Sequence, residues 1–290
     1  MVRIDSSTLK IHCWGGLGSQ LQALSYFLVI QKKYPRRKLL LVLHSSGISE
    51  RRSEIDLVSN QIDILIVNDF TLGHNEIGKN KKYNKLFAKT LKNFVRKILD
   101  VSRIVITSEN RIMGIKPWTM SIRSSYSNIN LNLDTIERLG YLFQFVPSRS
   151  KNEFIGVHFR QGDLSALKPK SLINPVTIVK QIEKLNFGEI RTNKVIIYSD
   201  SEVNLEDFSS RINLACELIT VDTLTTIFEL TSSKVFIGTN SKVSLWVAIF
   251  KYGFKIPGLI LLPTSMYDSF NKIVNHSSQL NDFIIQPYSY

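Results

Sequence analysis

A succession of a short apolar run, a glycine or polar turn, and a segment with helical spacing repeats along this chain and limits the folds open to it. Residues 10–14 have the pattern of a short strand that leads into a glycine-rich turn, and apolar side chains recur at helical spacing over 20–32. The continuous apolar run 39–43 is typical of a strand buried in a parallel sheet. Strand, turn, helix and strand in this order predict a βαβ unit.

The same alternation returns in the second half of the chain. Strands and helices are predicted in turn over 154–159, 175–185, 194–198, 218–221, 223–231, 235–237 and 242–251. This succession predicts a second doubly wound α/β domain. The polar, turn-prone segment 147–152 separates the two series. We therefore expect an N-terminal Rossmann-like domain over 1–148 and a C-terminal one over 149–290, facing each other across a cleft.

The composition is that of a folded globular protein, with 43% hydrophobic and 21% charged residues. The two cysteines, Cys13 and Cys216, lie far apart and predict neither a disulfide framework nor a zinc site. The first residues lack the pattern of a signal peptide, and no apolar run reaches the roughly 20 residues that span a bilayer. We expect a cytoplasmic protein, or one bound peripherally to the inner face of the cytoplasmic membrane.

A net charge of +13 predicts an anionic partner, which could be nucleic acid, anionic lipid or a phosphorylated small molecule. The charge is concentrated in 79–103, where apolar residues recur at helical spacing. This basic amphipathic helix either packs on the first domain with its lysines in water or docks on an anionic membrane surface. The sequence has no zinc finger, helix-turn-helix or aromatic stacking motif, so we expect no specific nucleic-acid partner.

The first motif is Gly-Gly-Leu-Gly-Ser-Gln, at the turn between a predicted strand and a predicted helix. Its glycines allow a ligand to approach the backbone, and the amino terminus of the helix offers N–H groups to an anion or a sugar. The G-x-G-x-x-G spacing of the dinucleotide fingerprint is absent, so a purely structural turn and a binding loop are both open. The candidate residues of this loop are Gly15, Gly16, Gly18, Ser19 and Gln20.

The second motif is Val157 to Asp163, again where a predicted strand ends. The alternation of side chains along a strand puts His158 and Arg160 on one face. The forked guanidinium of Arg160 is suited to hold a phosphate, and His158 can donate to a phosphate, a ribose or a base. Asp163 can orient Arg160 or accept a proton from an acceptor hydroxyl. The alternative is an exposed Arg–Asp ion pair that contributes little.

Two further motifs follow strands in the second domain. Ser199 and Asp200 come directly after an apolar run, and ligands of open α/β sheets bind beyond the carboxyl ends of the strands. Thr239, Asn240 and Ser241 stand between a strand and a helix, where hydroxyls and backbone N–H groups predict a pyrophosphate cradle. In both places an ordinary helix cap is the alternative.

Together the four motifs resemble those of the α-1,2-fucosyltransferase family, and more distantly those of the α-1,6- and protein O-fucosyltransferases. The family's Gly-Gly-Leu-Gly-Asn-Gln loop is matched by 15–20 except at Ser19, and its Ser-Asp segment looks like 199–200. Its His-x-Arg-x-x-Asp motif is matched in full by His158, Arg160 and Asp163. Its late Asn-Ser-Ser-Phe-Ser-Trp-Trp segment is similar to 240–246, and the shared residues are Asn240, Ser241, Ser244 and Trp246.

The resemblance implies a GT-B-like glycosyltransferase that transfers fucose, with inversion, from GDP-fucose to a hydroxyl of a glycan or lipid-linked oligosaccharide in bacterial surface polysaccharide synthesis. It implies no cofactor and no metal. Arg160 would stabilise the departing GDP, and Asp163 is the candidate catalytic base. The implied donor-binding residues are His158, Arg160, Ser199, Asp200, Thr239, Asn240, Ser241 and Ser244.

Ser19 is the main departure from the family pattern, because serine is shorter than the asparagine that reaches the reacting sugar. A related GT-B transferase with another nucleotide-sugar donor is therefore one alternative. A non-catalytic protein that binds sugar nucleotides or glycans is the other, although such a protein would be expected to lose Arg160.

Overall fold

The computed structural model describes residues 9–36, 38–44, 61–67, 121–123, 131–145, 153–161, 171–185, 192, 194–274 and 283–290. The chain divides into two compact units, Met1–Ser127 and Asn128–Tyr290. The predicted basic helix 79–103 and the candidate base Asp163 lie outside the described residues.

The first unit contains a four-stranded parallel sheet. Its strands are β1 (Leu9–Trp14), β2 (Leu39–His44), β3 (Ile64–Val67) and β4 (Ser121–Arg123), in the order β3-β2-β1-β4. Helix α1 (Leu17–Lys33) connects β1 to β2 and packs on both. The βαβ unit predicted at the start of the chain is confirmed.

Apolar side chains at helical spacing hold α1 on its sheet. Leu21 and Leu24 are fully buried in α1, and so are Ile11 of β1 and Leu41 of β2. Burying a leucine or isoleucine side chain stabilises the folded state by about 1.5–3 kcal/mol. The continuous apolar run of β2 is thus explained, since a strand in a parallel sheet is covered on its faces.

The second unit is built on a six-stranded parallel sheet. Its strands are β5 (Ile155–His158), β6 (Lys194–Tyr198), β7 (Ala215–Ile219), β8 (Val235–Ile237), β9 (Gly258–Pro263) and β10 (Phe283–Tyr288). Their order is β10-β9-β8-β5-β6-β7. Read from β7, this is the third, second, first, fourth, fifth and sixth strand of the unit, the order of the doubly wound Rossmann fold. The strand order reverses between β5 and β8.

Helices separate the strands of this second unit. They are α2 (Leu133–Leu142), α3 (Pro175–Glu183), α4 (Glu206–Ser209), α5 (Thr223–Thr231), α6 (Lys242–Gly253) and α7 (Thr264–Val274). Four of them begin at a polar residue whose side chain accepts a backbone N–H, as N-caps do: Asn132, Asn174, Asp222 and Ser241. None of the described helices is long and apolar enough to cross a membrane.

The division between the units falls earlier in the chain than the predicted boundary at 148/149. Helix α2 and the residues after it pack on α6 of the second unit. The ring of Phe145 stacks on that of Phe228 with 4.4 Å between centroids, and it meets Phe254 edge-on at 5.0 Å. A Cβ at Gly253 would come within 2.2 Å of Ile136, so the two helices are in close contact there. These aromatic and apolar contacts place 133–145 in the second unit.

The core of the second unit lies between its sheet and its helices. Val157, Ile197 and Ile237 are completely buried in neighbouring strands, and Val247 and Ile249 of α6 are buried as well. The described chain therefore has the predicted α/β class, with a Rossmann-like parallel sheet in each unit. Of the two cysteines, which are both free, Cys13 is buried in β1 and Cys216 is half-buried in β7.

An ionisable side chain, Lys251 of α6, is completely buried in this core. Its Nζ donates to the carbonyl oxygens of Thr231 at 3.0 Å and Ser233 at 2.5 Å. Burial lowers the pKa of Lys251 to about 7. The accepting carbonyls stand at the carboxyl end of α5, where the helix dipole is negative, so Lys251 acts as a cap for that helix.

Candidate functional site

The topology of the second unit brings two of the sequence motifs together. His158 ends β5, and the turn 238–241 follows β8, the neighbouring strand. The strands run parallel with Val157 opposite Ile237, so both motifs emerge at the same edge of the sheet. This is also the point where the strand order reverses, and in open α/β sheets ligands bind in the crevice that forms there.

His158 is tied to the start of α6. Its Nδ1 lies 2.8 Å from Oγ of Ser244, and that hydroxyl oxygen accepts the backbone N–H of Thr239 at 2.9 Å. Burial, and then the charge of Arg160, lower the pKa of His158 to about 3. The imidazole is therefore neutral at physiological pH, with one ring nitrogen as a donor and the other as an acceptor.

Arg160 lies between the turns that follow β6 and β8. Its Nη1 donates to Oγ of Ser241 at 3.4 Å, and its backbone N–H donates to Oγ1 of Thr239 at 3.4 Å. Its Nε lies 3.7 Å from Oδ2 of Asp200. The guanidinium thus stands beside the amino terminus of α6, and both contribute positive potential to this edge of the sheet.

The carboxylate of Asp200 lies beside the guanidinium of Arg160. Its Oδ1 also accepts the backbone N–H of Gln161 at 3.2 Å, so the carboxylate joins the ends of β5 and β6. Asp163 lies outside the described residues, and its predicted role stays a prediction. The implied role of Asp200 in donor binding is likewise a prediction, and its side chain is exposed enough (44%) to meet a ligand as well as Arg160.

Ser199 has a local role in the turn after β6. Its Oγ accepts the backbone N–H of Ser201 at 3.2 Å, and its own N–H donates to the carbonyl of Ile219. Neither Ser199 nor Asp200 caps a described helix, because α4 begins only at Glu206. The helix-cap alternative therefore does not apply at this motif.

At the turn after β8 the cap alternative does apply. Oγ of Ser241 accepts the N–H of Val243 at 3.2 Å, so Ser241 is the N-cap of α6 as well as a partner of Arg160. The preceding Gly238 permits close packing, since a Cβ there would lie 2.8 Å from Cβ of Ser244 and 2.7 Å from Leu262. A glycine is thus what lets α6 start directly above the end of β8.

Three residues outside the sequence motifs contact this turn: Ser265, Tyr288 and Tyr290. Asn240 donates from Nδ2 to the hydroxyl oxygen of Tyr290 at 3.2 Å, and its Oδ1 accepts the hydroxyl of Ser265 at 3.2 Å. The hydroxyl of Tyr288 donates to the carbonyl of Gly238 at 2.5 Å. Ser265 and the tyrosines lie at the ends of β9 and β10, at the same edge of the sheet. Their place at the site depends on the order of β8, β9 and β10 in the sheet, which no local sequence pattern indicates.

In the first unit, the glycine loop follows β1, which lies between β2 and β4 at the reversal of that sheet. Gly15 has a φ of 113°, a conformation that favours glycine, and its carbonyl accepts Nε2 of Gln20 at 3.1 Å. Gly16 caps α1, Gly18 is buried within it, and Ser19 is half-buried. Gln20 thus serves the shape of the turn, and a binding role for the loop stays a prediction.

The described residues include no group of three or more His, Cys, Asp or Glu side chains that could hold a metal ion. The expectation of a metal-independent reaction remains a prediction, because it came from the family resemblance.

No protein-family model and no curated protein matches this chain. Solved structures do match its fold. The glycosyl transferase family 9 protein from Veillonella parvula DSM 2008 matches with a TM-score of 0.50 at 12% identity, over 100% of this chain and 90% of that one. E. coli heptosyltransferase WaaC with ADP matches at 0.47 and 9%, over 96% and 92%. E. coli ADP-heptose LPS heptosyltransferase II matches at 0.43 and 9%, over 88% and 84%. At these identities the likeness concerns the fold.

Proposed function

We propose that this protein is a nucleotide-sugar-dependent glycosyltransferase whose second unit binds the nucleoside diphosphate of the donor where β5 and β8 end. The observation that carries the proposal is the meeting of Arg160, Thr239 and Ser241 at the amino terminus of α6, at the reversal point of a Rossmann-like sheet. The glycosyl transferase from Veillonella parvula, which shares the fold along the whole chain, supports it.

The chemistry requires stabilisation of a leaving diphosphate. When the bond between the anomeric carbon and the β-phosphate oxygen breaks, negative charge grows on the phosphate. A fixed guanidinium and a helix amino terminus stabilise that charge without reorganising. In this protein Arg160 and the start of α6 supply both, and the carboxylate of Asp200 lies in ion-pair distance of Arg160. The neutral His158 contributes hydrogen bonds and no charge.

The donor that we propose first is GDP-fucose, because the residues at 158–163 and 240–246 resemble those of fucosyltransferases. In this reaction the acceptor hydroxyl of a glycan, lipid-linked in a bacterial surface polysaccharide pathway, forms the new bond to the anomeric carbon. Its proton passes to Asp163, and no metal takes part. Ser19 makes another nucleotide sugar the alternative donor. The basic segment 79–103 would hold the enzyme on the cytoplasmic face of an anionic membrane.

The test is a transfer assay with labelled donors and a bacterial lipid extract that contains lipid-linked oligosaccharides. GDP-fucose, GDP-mannose, ADP-heptose and UDP-N-acetylglucosamine are each offered to the wild type and to Arg160→Ala. We expect label from one donor to enter the lipid fraction, and we expect Arg160→Ala to lower the rate about 100-fold or more, as loss of a charged group at a leaving oxyanion does. Absence of transfer from every donor, or an unchanged rate in Arg160→Ala, would contradict the proposal.

A further inference from the structure

We propose that Tyr290 is a binding residue of this site and that its hydroxyl donates a hydrogen bond to the phosphates of the nucleotide. This inference rests on the proposed function. Tyr290 follows β10, and Asn240 follows β8, in a sheet whose strands are all parallel. The two residues therefore stand at the same edge as Arg160, although they are far from it in sequence.

The hydroxyl of Tyr290 accepts a hydrogen bond from Asn240. An amide nitrogen can only donate, so the oxygen of Tyr290 accepts from Nδ2 of Asn240 at 3.2 Å. Ser265 donates to Oδ1 of the same amide at 3.2 Å. The proton of Tyr290 is left to donate, and among the described residues it has no acceptor. A phosphate oxygen at the adjacent turn is the acceptor that this arrangement fits.

Tyr290 is held in place while its side chain stays accessible. Two residues earlier, the buried hydroxyl of Tyr288 donates to the carbonyl of Gly238, and the backbone oxygen of Tyr288 accepts the hydroxyl of Thr264 at 3.2 Å. Tyr290 itself is 52% exposed. A tethered backbone with an exposed phenol is suited to meet a ligand with little loss of conformational entropy.

The matched control is Tyr141, an exposed tyrosine on α2 whose ring meets Phe254 edge-on. Binding of GDP, ADP, UDP and inorganic pyrophosphate is measured by titration calorimetry for the wild type, Tyr290→Phe and Tyr141→Phe. We expect the phosphate ligands to bind Tyr290→Phe about tenfold more weakly, the loss of one hydrogen bond to a charged group. Tyr141→Phe should bind like the wild type, and all three proteins should unfold at the same temperature without ligand.

The outcomes separate this inference from the function on which it rests. If the wild type binds a nucleoside diphosphate and Tyr290→Phe binds it equally well, the inference is wrong and the proposed function stands. If Tyr290→Phe weakens the nucleotide but not pyrophosphate, the hydroxyl does not meet the phosphates, and the inference is wrong as well. If the wild type binds none of the nucleotides, both proposals are overturned.

Discussion

His158 is a buried, neutral imidazole at the centre of the hydrogen bonds that join β5 to α6. Its position in the strand follows from the sequence, but its protonation state does not, because burial and the nearby Arg160 lower its pKa to about 3. A histidine with a pKa of about 3 carries no charge over the physiological pH range. It can therefore orient Ser244 and a ligand, but it does not change its charge during a catalytic cycle near pH 7.

This protonation state predicts a pH dependence of stability. Between an unfolded pKa of about 6.5 and a folded pKa of about 3, only the unfolded chain binds the proton, so acid favours unfolding. The free energy of unfolding of the wild type, relative to that of His158→Gln, should fall as the pH decreases from 7 to 4, by at most about 1.4 kcal/mol per pH unit. Urea unfolding at a series of pH values measures it. A difference that stays constant with pH would show that folding does not lower the pKa of His158.

At the scale of the elements, the site depends on how closely α6 approaches the end of β8. Gly238 makes this approach possible, and the hydroxyl of Ser244 then joins Thr239 to His158. The hydrogen bond from Tyr288 to Gly238 brings β10 into the same arrangement. Three strands and one helix thus determine the positions of a few polar groups.

Gly238→Ala tests this dependence. The added methyl group would overlap Ser244 and Leu262, so α6 must shift away from β8, and we expect a loss of about 1–3 kcal/mol of stability. Ser244→Gly removes the serine atoms that this methyl group would overlap, and it also removes the hydroxyl. In a double-mutant cycle by urea unfolding, the combined change should therefore cost less than the sum of the two single changes. Strict additivity would mean that the Gly238–Ser244 contact does not limit the position of α6.

The sequence predicted the strands and helices better than it predicted which of them pack together. Alternating apolar runs and helical spacing indicated β5, β6, β8 and the helices between them, because burial of parallel strands leaves a direct mark on composition. The assignment of α2 to the second unit could not be read from the chain. It depends on contacts between Phe145 and rings about a hundred residues away, which local patterns do not encode.

The site was predictable to the extent that its residues stood in motifs at strand ends. His158, Arg160, Asp200 and Ser241 were named for that reason, and the structure brings them together. Ser265, Tyr288 and Tyr290 belong to no motif, and their place in the site follows only from the order of β8, β9 and β10 in the sheet. Strand order is a property of the folded sheet, so these partners emerged only from the structure.

At the scale of the whole molecule, two Rossmann-like units and a net charge of +13 are consistent with a protein that handles anionic donors. The net positive charge of the protein attracts any anion weakly, whereas binding at the proposed site requires the guanidinium of Arg160. Substituting one arginine inside the proposed site and one outside it separates these two effects. Arg160 lies in the site, and Arg211 is exposed after α4.

A thermal-shift measurement with GDP, UDP, ADP and CMP on the wild type, Arg160→Ala and Arg211→Ala tests whether a nucleotide binds at Arg160. A ligand at about a hundred times its dissociation constant stabilises the folded state by about 2.7 kcal/mol. We predict that at least one nucleoside diphosphate raises the unfolding temperature of the wild type and of Arg211→Ala by several degrees, and leaves that of Arg160→Ala unchanged. No shift in the wild type, or an equal shift in Arg160→Ala, would contradict a nucleotide site at the ends of β5 and β8.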